Sequence, residues 1–247
     1  MRKKLVIQSG ARTNSIGNSI RNKILLWIPD NEYLIIRPHL EYLKLPSRLS
    51  LRESSEPVKF LYFPNAGLIS LIVTMHDGRT VEAGVIGREG ALGVALAVGL
   101  NKCPVGEKVQ IAGDGFKVRA SVVQNSLKST PQLLMVLNRC AVVRGMLAAQ
   151  TVACNRLHRI DQRLARWLLR AQDRVDSSSL AVTHGFLATM LGTNRPTVSS
   201  AAAILQKRKC IEYMRGGVKI LDRRKLEASS CECYEVMRQF DSELIPS

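Results

Sequence analysis

Apolar residues change their spacing twice along this chain. From Lys23 to about Pro46, Ile24, Leu25, Ile28, Leu34, Ile35, Leu40 and Leu43 fall at mixed helical intervals broken by Pro29 and Pro38, which predicts short helices. Between Leu49 and Ala120 the apolar runs shorten and gather β-branched residues between turn residues, as in FLYFP, GLISLIVTM, TVEAGVIG, EKVQIAGDG and FKVRA. These read as strands. Asp77-Gly78 separates LISLIVTM from TVEAGV, a tight-hairpin signal because glycine supplies the positive φ such turns need. Many short strands at this spacing predict a small antiparallel barrel or roll.

After Pro131 the period lengthens. Leu133, Leu137, Cys140, Arg144, Leu147, Thr151, Cys154 and His158 alternate by four and three, the heptad seam of one long helix. Its length suits packing against a second copy, with Leu133, Leu137, Cys140, Leu147, Thr151 and Cys154 as the expected dimer contacts. A helix laid on its own barrel gives a similar pattern, and Arg144 and Thr151 interrupt the apolar run.

The last third reads as a helix from Arg163 to Arg174, a Ser-rich turn, then THGFLATMLGTNRPTVSSAAAILQKRKCIEYMRGGVKIL. Ala188, Gly192 and Val198 reproduce the spacing of a helix-turn-helix: a small residue where two helices cross, a glycine in the turn, an apolar residue burying the second helix. Asn194 suits an N-cap and Pro196 the first turn, where a missing N–H costs nothing. IEYM and GVKIL around Arg215-Gly216-Gly217 predict a β wing. In this arrangement Arg195, Thr197, Ser199 and Ser200 face base edges, with Arg195 suited to a bidentate guanine contact. Thr183, Asn194, Lys207, Arg208, Lys209, Arg215 and Lys219 are the expected phosphate contacts; each basic one also reads as a plain surface charge.

Charge supports a polyanionic partner. The 247 residues carry 36 Lys+Arg against 20 Asp+Glu, a formal net charge of +16, which by itself points to nucleic acid or an anionic membrane face. Nine basic residues between 180 and 225 face only Glu212 and Asp222, and beside the helix-turn-helix they make double-stranded DNA the expected partner. Residues 1–21 are basic and rich in Ser, Asn and Gly, as in a flexible tail. Its start lacks the apolar core of a secretory signal, and the longest apolar stretch, Ala91 to Leu100, is interrupted by Gly93 and Gly99 and is about half a membrane span. No membrane association and a cytoplasmic location are expected. The six cysteines form no CxxC pair and read as reduced thiols, so no metal ligands are assigned.

The order of roll, seam helix and winged helix-turn-helix resembles the Crp/Fnr superfamily of bacterial transcription regulators. VKFLYFPNAGLISLIVTMHDGRTVEAGVIGREGALG, CNRLHRIDQRLARWLL and the helix-turn-helix carry the resemblance, which runs from about Asn22 to Tyr234. It implies an α+β chain with an N-terminal antiparallel, cyclic-nucleotide-binding-like β-roll as sensor (22–130), a long dimerisation helix (131–158) and a C-terminal winged helix-turn-helix domain (159–247). It also implies a homodimer on a palindromic operator and contact with RNA polymerase. The effector pocket would involve Gly87, Arg88, Glu89 and Gly90, with Arg144 and Ala148 on the helix.

Departures from the family pattern bear on the effector. Members that bind cyclic nucleotides hold the phosphate with an arginine after a Gly-Glu-Leu-Gly-like turn, whereas this chain has no arginine between Arg88 and Arg119. Ala148-Ala149 stand where the cyclic-AMP receptor carries a Thr-Ser pair. Cyclic AMP is therefore not the expected effector. The first cysteine is Cys103, so the N-terminal cluster of the iron–sulfur branch is missing; for a haem, His39, His76, His158 and His184 are the available imidazoles. No cofactor is assigned and the effector stays open.

No HExxH, GxxxxGK or GxSxG motif occurs, so an enzyme is not expected. Two alternatives stand beside the DNA-binding reading. One is a metabolite-binding regulatory subunit acting on a protein partner. The other is a thiol- or metal-responsive regulator using Cys154 near the hinge and Cys231 and Cys233 near the C-terminus.

Overall fold

In the computed structural model, which describes residues 12–214 and 216–246, the broken helical spacing becomes α1 (Lys23–Trp27) and α2 (Asp30–Ile36). Asn22 caps α1 by accepting the N–H groups of Ile24 and Leu25. A flexible tail reaching residue 21 is not what forms. Thr13 bridges Ser19, buried Asn14 donates to the Leu40 carbonyl at 3.1 Å, and Arg12 donates to the Leu25 and Ile28 carbonyls. Polar side chains anchor this segment, so no apolar pattern announces it. Residues 1–11 lie outside the described residues.

Strands β1 (Glu41–Leu45), β2 (Ser50–Arg52), β3 (Phe60–Thr74), β4 (Thr80–Ile86) and β5 (Gly106–Arg119) form an antiparallel sheet ordered β1-β5-β3-β4, with β2 also on β5. FLYFP and GLISLIVTM are one strand, running against β5 from Phe60↔Arg119 to Ile72↔Gly106. Register shifts after Pro64 and Ala66 absorb the proline. They bring β3 so near β5 that a Cβ on Gly113 would collide with the Ala66 carbonyl. The Asp77-Gly78 hairpin forms between β3 and β4, with Gly78 at φ 80° and Asp77 Oδ1 accepting the Arg79 N–H at 3.0 Å.

Helices α3 (Ala120–Ser126) and α4 (Pro131–Leu157) follow. Here the expected dimer seam fails: Leu133, Leu137, Cys140, Leu147, Thr151 and Cys154 are all buried within one chain, most of them in the core of the roll. The opposite face keeps Met135, Val142, Met146, Val152 and Leu157 exposed. Two apolar stripes run along α4 and the sequence cannot rank them. By length and composition α4 would also pass as a membrane-crossing helix. Counting only uninterrupted apolar runs overlooks it, because isolated polar residues punctuate α4.

The C-terminal part comprises α5 (Ile160–Val175), β6 (Ser179–Leu180), α6 (His184–Met190), α7 (Arg195–Lys207), β7 (Ile211–Met214), β8 (Gly217–Ile220), α8 (Arg223–Ser229) and α9 (Cys233–Ser242). The small sheet runs β6-β8-β7. Leu164, Trp167 and Leu168 of α5 share a core with Leu187, Val198 and Leu205 and also with Leu68 and Val85 of the roll. Glu82 of β4 is buried in that junction, accepting from Trp167 Nε1 (2.8 Å) and Ser70 Oγ (2.5 Å). Burial pushes its carboxyl up to about 7, against the pull of these hydrogen bonds and of Arg170 and Arg166. Helix α9 returns to α4, where Arg139 pairs with Glu243 at 2.8 Å.

Candidate nucleic-acid interface

The motif is held by its caps and its small residues. Thr183 Oγ1 accepts the Phe186 N–H at 3.2 Å and caps α6. Gly192 turns the chain at φ 61°. Asn194 Oδ1 accepts the Thr197 N–H at 2.9 Å and caps α7. Ala188 is buried at the helix crossing, and Val198, Ala201, Ala202 and Leu205 bury the inner face of α7.

What remains outside is the candidate contact face. Arg195, Pro196, Ser200, Ala203, Gln206 and Lys207 are exposed, at spacings that put Pro196, Ser200, Ala203 and Lys207 on one side of the helix. Of the four expected base readers, Arg195 and Ser200 are exposed, with no side-chain hydrogen bond among the described residues. The other two are engaged internally: Thr197 Oγ1 donates to Asn194 Oδ1 (2.7 Å), and Ser199 Oγ meets His184 Nδ1 (2.8 Å) and the Arg195 carbonyl (3.0 Å). His184, one of the imidazoles available for a haem, is half-buried here, its ring edge-on to Tyr213 at 4.0 Å. Burial lowers its pKa, with Arg195 adding to the effect. Ala203 was missed because an apolar residue between buried neighbours carries no signal of its own.

Among the expected phosphate contacts, Thr183, Asn194, Lys207, Arg208, Lys209 and Lys219 are exposed, and Arg208 Nη1 lies 4.0 Å from Asp161. Arg215 lies outside the described residues. The turn of the motif leans on the roll. Val81 stands 3.2 Å from where a Cβ on Gly192 would sit, and Gly78, Arg79 and Thr80 share a cleft with Thr189, Thr193 and Asn194.

A second candidate site, a largely apolar cavity of about 360 Å³, lies between the roll and α4. Val85, Val94, Val98, Leu100 and Leu147 line it with Arg52, Glu107, Arg144 and Ala148. Arg144 and Ala148 are thus where expected, but Gly87, Arg88, Glu89 and Gly90 are not part of the lining. Glu89 instead accepts the Gly87 N–H (3.0 Å) and pairs with Arg174 Nε of α5 (2.9 Å), while Arg88 lies 3.8 Å from Asp176. That turn joins the roll to α5. Arg52 and Glu107 face each other at 3.5 Å, both buried, a pairing between strands that no local motif marks. Arg144 donates to the Ala91 carbonyl, and among the described residues its buried Nε has no acceptor.

The cysteines were assigned no metal, yet three of them gather with a histidine. Cys154, His158, Cys231 and Cys233 converge where α4 ends, their donor atoms all within 4.8 Å of one another.

Residues 162–229 match the family model of the Crp-like helix-turn-helix domain. No curated protein matches the sequence. Among solved structures, the chain is similar to FixK2 from Bradyrhizobium japonicum at 15% identity and a TM-score of 0.67, covering 78% of this chain and 98% of that one. It is similar to the c-di-GMP responsive global regulator CLP from Xanthomonas campestris at 16% identity and a TM-score of 0.65, over 78% and 100% of the two chains. A Crp/Fnr-family transcriptional regulator from Thermus thermophilus gives 19% identity and a TM-score of 0.64 over 79% and 98%.

Proposed function

From a chain that carries a Crp-like helix-turn-helix domain on a Crp/Fnr-type fold, we propose a DNA-binding transcription regulator that acts as a homodimer in the cytoplasm. The observation that carries this reading is the exposed outer face of α7, with an exposed Arg195 at its start and Asn194 fixing its first turn. The N-terminal turns of such a helix enter the major groove, with Arg195 on a base edge and Lys207, Lys209 and Lys219 on phosphates.

The exposed apolar stripe of α4 supports the dimer, because Met135, Val142, Met146 and Val152 would otherwise face water. Gly145 and Ala149 on the same face allow close approach of a second helix. Two copies present two α7 helices to a palindromic operator, and the resemblance extends the reading to contact with RNA polymerase.

The effector belongs in the cavity. An apolar lining with Arg144 short of one acceptor suits a small acid with an apolar body, and we discount cyclic AMP. Arg144 holds the Ala91 carbonyl beside the Glu89–Arg174 pair, and the β3–β4 hairpin abuts the turn into α7. A ligand that draws Arg144 into the cavity therefore acts on contacts that run to the DNA-binding side.

The test is selection of bound sites from random DNA by the full chain, with affinity measured across salt. A symmetric motif and an affinity falling steeply with salt are expected. Binding without sequence preference would overturn the reading and favour the regulatory subunit acting on a protein.

A further inference from the structure

We propose that Cys154, His158, Cys231 and Cys233 bind one zinc ion in a closed tetrahedral site that staples the end of α4 to the α8–α9 junction. Cys154 and His158 stand four residues apart, at the last turn of α4 and its C-cap, so both point to one side. Cys231 and Cys233 flank Glu232 where α8 gives way to α9. Cys154 Sγ lies 3.5 Å from Cys231 Sγ, and Cys233 Sγ lies 3.5 Å from His158 Nδ1. With zinc–sulfur bonds of about 2.3 Å and zinc–nitrogen bonds of about 2.0–2.1 Å, a tetrahedron has edges of roughly 3.8 Å between sulfurs and roughly 3.6 Å from sulfur to nitrogen. Both observed edges lie within a few tenths of an ångström of these.

The surroundings fit a ligand set better than plain packing. The three sulfurs form a buried cluster of their own instead of spreading into the aliphatic cores. His158 directs Nε2 at Glu232 Oε1, 3.1 Å away, which leaves Nδ1 to the metal in the carboxylate–histidine–metal arrangement that fixes an imidazole ligand. The Gln150 amide donates to Cys233 Sγ at 3.0 Å. Three soft thiolates and one imidazole, with no further His, Cys, Asp or Glu in the cluster among the described residues, suit a structural zinc ion. Donors this close surround a single ion and leave no room for a two-iron cluster. Binding releases up to three thiol protons to solvent and leaves a net charge of −1, facing Arg163 and Arg166, whose guanidinium groups lie near enough to act on these thiols.

The measurement is zinc content of the full chain, purified under reducing conditions and dialysed, by mass spectrometry of the metal. About one zinc per chain is expected, with near-complete loss in Cys231→Ser and Cys233→Ser and no loss in Cys103→Ser. His158→Cys should keep the metal, since four thiolates also form a closed zinc site. Should the serine variants fail to fold, the unaltered chain decides: cobalt(II) in place of zinc should give thiolate charge-transfer absorption and the visible bands of a tetrahedral ion. Absence of both zinc and that cobalt spectrum, an iron–sulfur chromophore, or a Cys154–Cys231 disulfide that persists in the reduced preparation would overturn the proposal. None of these readouts uses DNA, so the site stands or falls apart from the regulator reading.

Discussion

Replacing Glu82 by Gln should stabilise the protein above neutral pH and leave it nearly unchanged in mild acid. Glu82 is 8% exposed, and burial lifts its carboxyl from the ordinary 4.5 to about 7. Between those values the folded chain holds a proton that the unfolded chain has released. Stability therefore falls as pH rises through this window, by about 1.4 kcal/mol per pH unit, and levels off above it. The ionised carboxylate thus costs about 3 kcal/mol by pH 8. Gln cannot ionise, keeps an oxygen for Trp167 Nε1 and offers an amide to Ser70 Oγ. The assay is urea unfolding of both proteins at pH 5, 6, 7 and 8, followed by tryptophan fluorescence. The advantage of Glu82→Gln should grow from under about 1 kcal/mol at pH 5 to about 2–3 kcal/mol at pH 8. An advantage that stays flat with pH refutes the reasoning. So does a variant weaker than the parent at pH 8, because Arg166 and Arg170 would then outweigh the burial of the carboxylate.

Three further outcomes follow from placements described above. Val142→Glu with Val152→Glu should give a folded monomer by light scattering and circular dichroism, whereas Leu137→Glu with Leu147→Glu should unfold the roll by burying charge; a dimeric Val142/Val152 variant refutes the assignment of the interface. Arg195→Ala should flatten preference at one base pair per half-site, a loss of about 1–3 kcal/mol of discrimination, while Lys219→Ala should weaken all sequences alike and lower the salt slope by about one. Full sequence preference in Arg195→Ala would move that arginine to the phosphate contacts. Calorimetry should detect no cyclic AMP binding at micromolar concentration, and a titratable site in the roll would refute that.

Features set by neighbours in the chain were legible, and features set by distant partners were not. Gly192 and Asn194 needed only the few residues around them to imply a turn and a cap, and the turn and the cap form. The seam on α4 was visible as a periodicity, yet its direction was not, because Leu137 and Val142 belong to two stripes of similar character and only the roll decides which one is buried. Arg144 stood out as a polar break in that seam. Its place beside the cavity follows from the fold of residues 83–107, which supply much of the lining. Glu89 belongs to the turn that the resemblance assigned to ligand binding, but Arg174 takes it up from α5, a contact between segments that no local spacing encodes. Cys154 and His158 carry half of a ligand pattern at helical spacing, and Cys231 and Cys233 carry the other half. The cysteines of each half alone read as small buried residues in a chain without CxxC. Only the return of α9 onto α4 makes them one set, so the most specific chemistry in this protein depends on a contact that its sequence spreads over 77 positions.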